Sequence, residues 1–211
     1  MVKLSAVERA NAIFWWRKPG NTLEESAQIA QWAETAGADA IHVSTGSMFP
    51  HPRNSAGAFP IETARRNYGT LLASGNRTFL NYLLFRYLPQ LFLWFWQQCQ
   101  KDFLQDGKIV PERVEGLNTE DAKAIKAAVT IPVLCTGGFQ ATDVIRHAIQ
   151  NGACDGVTMA RPLLANPDLP KIFAEGRNKA KRPCTYCNRC LLEVLDNPLG
   201  CYRSATTASK K

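Results

Sequence analysis

The stretch "IPVLCTGGFQATDVIRHAIQNGACDGVTMARP", Ile131–Pro162, contains a strand, a helix and a second strand in succession. "PVLCTGG" at Pro132–Gly138 and "GVTMA" at Gly156–Ala160 are short apolar runs, and each breaks into glycine or a charged residue at its carboxyl end. Between them "ATDVIRHAIQNG" at Ala141–Gly152 has a polar start and apolar positions three and four apart, the period of a helix with one buried face. Two parallel strands joined by a helix form a βαβ unit, so the question is how far the pattern extends.

It extends upstream. "VKLS" at Val2–Ser5 and "AIHVS" at Ala40–Ser44 are further strand candidates. "NTLEESAQIAQWAETAG" opens on a capping residue, Asn21 or Thr22, with carboxylates in its first turn, and stops at Gly37. "NTEDAKAIKAAV" at Asn118–Val129 is a third helix of the same kind. The strands read as continuous apolar runs, as expected where both sheet faces are buried. Alternating strands and helices predict a parallel α/β sheet, and the order suits either an open doubly wound sheet or part of a βα barrel.

The ends of the last two strands suit an anionic ligand. Gly137–Gly138 permit close approach of a backbone, and Arg161 offers a forked cation for phosphate oxygens. The alternative for the glycine pair is a tight strand-to-helix turn. Further on, "RPCTYCNRCL" at Arg182–Leu191 spaces Cys184, Cys187 and Cys190 two residues apart, with Cys201 following.

The chain of 211 residues, 45% hydrophobic, is long enough for one domain with a proper core. Its formal charge of +7 is gathered partly at Lys179, Lys181, Arg182, Arg203, Lys210 and Lys211. No basic stripe is interleaved with aromatics, which argues against nucleic-acid binding. "MVKLSAVERANAIFWW" lacks the apolar run of a secretion signal, so a cytoplasmic location is expected, where clustered cysteines serve metal or redox chemistry rather than disulfides. Cys99, Cys135 and Cys154 are expected to be small buried residues. "FLNYLLFRYLPQLFLWFWQQ" at Phe79–Gln98 is broken by Asn81, Arg86, Pro89 and Gln90, which argues against a membrane span and for a helical hairpin bent at Pro89 and packed on the body, a partner or a membrane surface.

Taken together, "IPVLCTGGF", "GACDGVTMARPLLANPDLPKIFAEGR" and "RPCTYCNRCL" resemble the C-terminal half of the old yellow enzyme family of NADH:flavin oxidoreductases. The cysteine cluster after "MARPLLANPDL" resembles the branch that includes 2,4-dienoyl-CoA reductase. The resemblance implies the C-terminal half of a TIM-type (β/α)8 barrel over residues 1–178, with an aromatic insertion at about 79–108 and a cysteine-rich extension at 179–211. It implies FMN, with Gly137, Gly138 and Phe139 on one side of the flavin phosphate and Ala160 and Arg161 on the other. Lys3 falls where the family has an arginine facing the flavin ring; lysine keeps the charge and loses the planar fork.

The branch also implies a [4Fe–4S] cluster on Cys184, Cys187, Cys190 and Cys201, although the spacing is one residue tighter than that pattern; zinc on the same four thiolates is the alternative. NAD(P)H is the implied electron donor, and a small molecule the substrate. The first four βα units, which carry the family's proton donor and carbonyl-binding residues, do not appear in the sequence, so no catalytic residue is assigned, and His42 and His51 are expected in structural or solvent roles. A half barrel leaves two open sheet edges, for which three explanations compete: a gene fragment or misannotated start, an N-terminal half-barrel subunit, or a second copy of the chain. The competing class is a non-catalytic assembly protein with structural zinc.

Overall fold

The computed structural model describes residues 1–9, 20–47, 51, 55–67, 83 and 86–203. In chain order the main elements are β1 (Val2–Arg9), α1 (Leu23–Thr35), β2 (Ile41–Ser47), α2 (Ile61–Arg66), α3 (Pro89–Cys99), the hairpin β3–β4 (Leu104–Gln105 and Lys108–Ile109), α4 (Pro111–Val114), α5 (Thr119–Ala128), β5 (Val133–Thr136), α6 (Thr142–Gln150), β6 (Gly156–Thr158), α7 (Arg161–Ala165), α8 (Leu169–Ala174) and α9 (Arg189–Glu193). The strands β1, β2, β5 and β6 form one sheet in that spatial order, all parallel. These are the four strands expected from the sequence.

The helix ends follow local chemistry. Of the two expected caps for α1, Thr22 serves: its hydroxyl accepts the Glu25 N–H at 3.3 Å, while the Glu25 carboxylate accepts the Thr22 N–H at 2.8 Å. This reciprocal box satisfies two donors that the first turn would leave unpaired. Gly37 ends the helix at φ +90°. The buried Ser26 hydroxyl donates to the Ser5 carbonyl, and Glu34 accepts the N–H groups of Thr130 and Ile131, so α1 is tied both to β1 and to the start of β5.

One sheet face carries Leu4, Ala6, Ile41, Val43, Val133 and Cys135, all buried against Ala30 of α1, Ala122 and Ile125 of α5 and Ala148 of α6. The other face carries Lys3, Ser5, His42, Ser44, Leu134, Thr136 and Thr158, which are exposed or half-buried. This corrects the expectation of strands buried on both faces: "IHVS" and "VLCT" alternate buried and half-exposed residues. Helices on one face only describe adjacent βα units of a barrel wall; a doubly wound sheet places helices on both.

Beside the sheet, α3 starts at Pro89, where the missing N–H costs nothing, and buries Phe92 and Trp96 against Phe59, Ile61 and Ala64. The Phe59 and Phe92 rings meet edge to face with centroids 4.7 Å apart. Tyr87, Leu88, Leu91 and Trp94 face outward. The expected hairpin partner at 79–82, 84 and 85 lies outside the described residues. No helix among the described residues is long and apolar enough to cross a membrane. Cys135 and Cys154 are buried as expected, and Cys99 is half-buried.

Candidate functional site

At the carboxyl end of β5 the chain turns through Gly137 and Gly138, the latter at φ +69°. A Cβ on Gly138 would stand 2.7 Å from the Val114 carbonyl oxygen, and one on Gly137 would stand 3.1 Å from the Asn118 nitrogen. The space that side chains would take is thus filled by the 114–118 segment, and the glycine pair forms a tight turn packed against it. The Phe139 side chain points into the sheet core and is fully buried. Asn118 joins the ends of β2 and β5, accepting from the Thr45 hydroxyl at 2.5 Å and donating to the Thr136 carbonyl at 2.6 Å.

At the end of β6, Ala160 is exposed and Arg161 opens α7. The Arg161 guanidinium turns toward the cysteine loop. Its Nη1 donates to the Ala56 carbonyl at 2.6 Å and to the Asn188 side-chain oxygen, and its Cζ lies 5.1 Å from the centre of the Tyr186 ring. Among the described residues no carboxylate pairs with it, and its Nε and Nη2 make no hydrogen bond. Burial pulls the guanidinium pKa down, and the neighbouring thiols oppose that pull. A cation enclosed this way lacks a counter-anion.

The two strand-end turns are joined by a residue that sequence reasoning missed. Tyr186, fully buried at φ 52°, donates its hydroxyl to the Gly138 carbonyl while its ring carries Arg161. Its neighbour Asn188, at φ 58°, donates to the carbonyls of Ser55 at 2.7 Å and Ala58 at 3.0 Å. Gln140 clasps the same loop from the barrel side, with Nε2 donating to the Cys184 carbonyl and Oε1 accepting the Cys184 N–H at 2.8 Å. The available signal was an Asn beside a cysteine, since Asn tolerates the left-handed region.

Cys184 is buried, Cys187 and Cys190 are half-buried, and Cys201 is exposed. Burial pushes the Cys184 and Cys190 thiols up; Arg161 acts to lower both, and the charges of Cys187 and Cys201 reach both. The Tyr186 N–H donates to the Cys184 sulfur at 3.4 Å, a contact that favours a thiolate. Thiols beside a cation and a backbone donor are the donor type that a thiolate-bound group would use. Among the described residues no three ligating side chains stand together as a preformed metal set.

A second polar group lies on the open sheet face. His42 Nε2 is 2.8 Å from the Thr158 hydroxyl and within hydrogen-bond distance of the Thr136 hydroxyl, and the two hydroxyls are bonded to each other. Burial first, then the charge of Lys3, lowers the His42 pKa, which favours the neutral ring. Lys3 stands in register with His42, exposed on this face, and no hydrogen bond or ion pair joins it to Arg161 among the described residues. His51 lies outside the strands and is half-buried.

The NADH:flavin oxidoreductase / NADH oxidase family matches residues 105–180, the segment that holds the glycine turn, Arg161 and the helices between. Over that segment the chain is similar to the NADH:flavin oxidoreductase family. An NADH oxidase of Thermoanaerobacter brockii is 28% identical over 170 residues, covering 80% of this chain and 18% of that protein. The NADH-dependent flavin oxidoreductase iccE of Talaromyces variabilis is 43% identical over 62 residues, 28% of this chain and 15% of its own length. The chain thus spans less than a fifth of these flavin oxidoreductase relatives. Among solved structures, 2-naphthoyl-CoA reductase in complex with 2-naphthoyl-CoA matches 94% of this chain and 22% of its own, with a TM-score of 0.55 and 21% identity. That likeness supports the barrel-wall reading of the one-sided sheet.

Proposed function

We propose that this chain is the FMN-phosphate-binding and cysteine-bearing portion of an NAD(P)H-dependent flavin oxidoreductase of the ene-reductase kind, from the branch that includes 2,4-dienoyl-CoA reductase. The observation that carries the reading is the Nε–Nη2 edge of the half-buried Arg161, which makes no hydrogen bond among the described residues and opens the helix that follows β6. A phosphate supplies the missing negative charge and matches the fork. Arg161 and the N–H groups of Gly137, Gly138, Phe139 and Ala160 hold the flavin phosphate, and Lys3 faces the ring from the open sheet face.

Bound FMN would supply hydride acceptance from a nicotinamide nucleotide and delivery to an electron-poor acceptor such as an activated alkene. The protein residues bind the anionic tail and exclude water around Arg161. Cys184, Cys187, Cys190 and Cys201 provide the thiolates of a [4Fe–4S] cluster. The uncovered sheet face and open edges are completed by further βα units, on a partner subunit or a second copy. The protein works in the cytoplasm.

The test is an optical spectrum with flavin and metal analysis of anaerobically purified protein. Yellow protein with releasable FMN and iron is expected, and Arg161→Ala should lower FMN affinity by at least tenfold, about the loss of a charge-assisted bidentate contact. Flavin retention unchanged in that variant removes the phosphate site. The outward stripe of Tyr87, Leu91 and Trp94 favours a second reading, an assembly protein whose cysteines hold zinc; colourless protein containing zinc selects it.

A further inference from the structure

Each polar group of Tyr186 is used by a different segment. The N–H donates to the Cys184 sulfur at 3.4 Å, the carbonyl accepts the Ala58 N–H at 2.9 Å, and the hydroxyl donates to the Gly138 carbonyl. The ring face lies under the Arg161 guanidinium. Around it, a Cβ on Gly57 would stand 2.1 Å from the Tyr186 carbonyl oxygen, so the 55–58 segment is fitted closely to the loop. The residue holds a left-handed backbone conformation without being glycine, and such conformations persist where surrounding structure over-determines them. The four contacts supply that over-determination.

We propose that Tyr186 is a positioning residue that couples the cysteine loop to the anion-binding turns. It fixes the β5 turn through the Gly138 carbonyl and sets the height of Arg161 through its ring, so neither turn takes its binding geometry unless the cysteine loop is seated. The inference rests on the flavin reading above and adds a direction to it: whatever seats the loop raises flavin affinity, and flavin seats the loop by the same factor. Tyr186 touches no phosphate itself; it acts through Gly138 and Arg161.

The loop is also held by protein groups other than its thiols. Gln140 holds Cys184 by two hydrogen bonds, and Asn188 holds Ser55 and Ala58. These contacts tie the loop to the rest of the chain through residues that do not take part in thiolate ligation, so the coupling is read with FMN as the only added ligand.

The experiment is FMN titration by quenching of flavin fluorescence on the full chain, for wild type, Tyr186→Phe and Arg161→Ala, with thermal unfolding of each without flavin. Tyr186→Phe keeps the ring under Arg161 and removes only the hydroxyl. It is expected to weaken FMN binding about three- to tenfold, the range for one hydrogen bond in a polar network, in protein that remains folded at the titration temperature. A residue of purely structural importance would lower the unfolding temperature and leave the affinity of the folded molecules unchanged; that result overturns the proposal. If Arg161→Ala also binds FMN like wild type, the flavin reading itself fails, a separate outcome. Amide hydrogen exchange on wild type tests the coupling where a variant does not fold. FMN should slow exchange at Tyr186 and Ala58 as well as at residues 137–139, and protection confined to 137–139 overturns it.

Discussion

Glu115 shows how the site is held at the level of one side chain. Its carboxylate has no solvent exposure, lies 3.3 Å from the Lys179 ammonium and accepts the Gln140 N–H at 3.4 Å, immediately behind the glutamine that clasps Cys184. The partners shift in the same direction. Lys179 moves up because the carboxylates of Glu115 and Glu112 outweigh its own desolvation, whereas Glu115 moves up because burial outweighs the attraction of Lys179. For Glu115 the burial effect is the one to follow, since its side chain is sealed and the lysine is part-exposed. A folded pKa above the unfolded value means that the carboxyl contributes stability below its ordinary range, near pH 4.5, and that this is lost as pH rises through the folded value. Glu115→Gln removes the titration. Urea unfolding at pH 4, 5.5 and 7 should show wild type losing ground to the variant as pH rises, and a difference that is flat or of opposite slope disproves it. None of this was legible in the sequence, where Glu115 is one acidic residue in a polar stretch. Arg161 was legible as a cation at a strand end, but its contacts with Ala56, Asn188 and Tyr186 were not.

Among the elements, the strands and the three covering helices were legible because their signals are local: a capping box at Thr22, glycine at Gly37, apolar runs of four or five residues. The sidedness of the sheet was present in "IHVS" and "VLCT" as a period of two, obscured because Thr, Ser and His are compatible with either a core or a wet face. The cysteine loop was legible as a thiol cluster but not as a clasped turn, since its geometry depends on Gln140, Ala58 and Arg161, each far away in sequence. The two glycine turns separate conformation from crowding. Gly37, at φ +90°, has nothing within 4 Å of a notional Cβ, while Gly138, at φ +69°, has the Val114 carbonyl at 2.7 Å. Gly37→Ala should cost about 1 kcal/mol, the left-handed penalty alone. Gly138→Ala adds a clash with backbone that has no room to yield and should cost about 3 kcal/mol. Chemical denaturation of both variants checks the order, and equal losses would mean that the 114–118 segment moves aside freely.

At the scale of the whole molecule, the described helices cover one sheet face, and among the described residues the other face is exposed or half-buried. Among the described residues β1 pairs only with β2, and β6 only with β5, so two strand edges present unpaired backbone groups. Parallel sheets are stable when both faces are covered, and open edges attract further strands. The bonded trio of His42, Thr136 and Thr158 ties three of the four strands across the wet face, which keeps the arc in shape, while Leu134 stands among polar neighbours as its apolar member. If further βα units complete the barrel, the chain alone should associate through this face and these edges. Sedimentation velocity over a hundredfold concentration range should show the 23.4 kDa chain giving way to larger species. Leu134→Glu sets a carboxylate where a covering layer would need an apolar contact, at a half-exposed position whose loss leaves the buried core intact, and it should shift the association to higher concentration by about tenfold, the value of one buried aliphatic side chain. A chain that stays at one-copy mass throughout, or a variant that associates like wild type, would show that this face needs no cover.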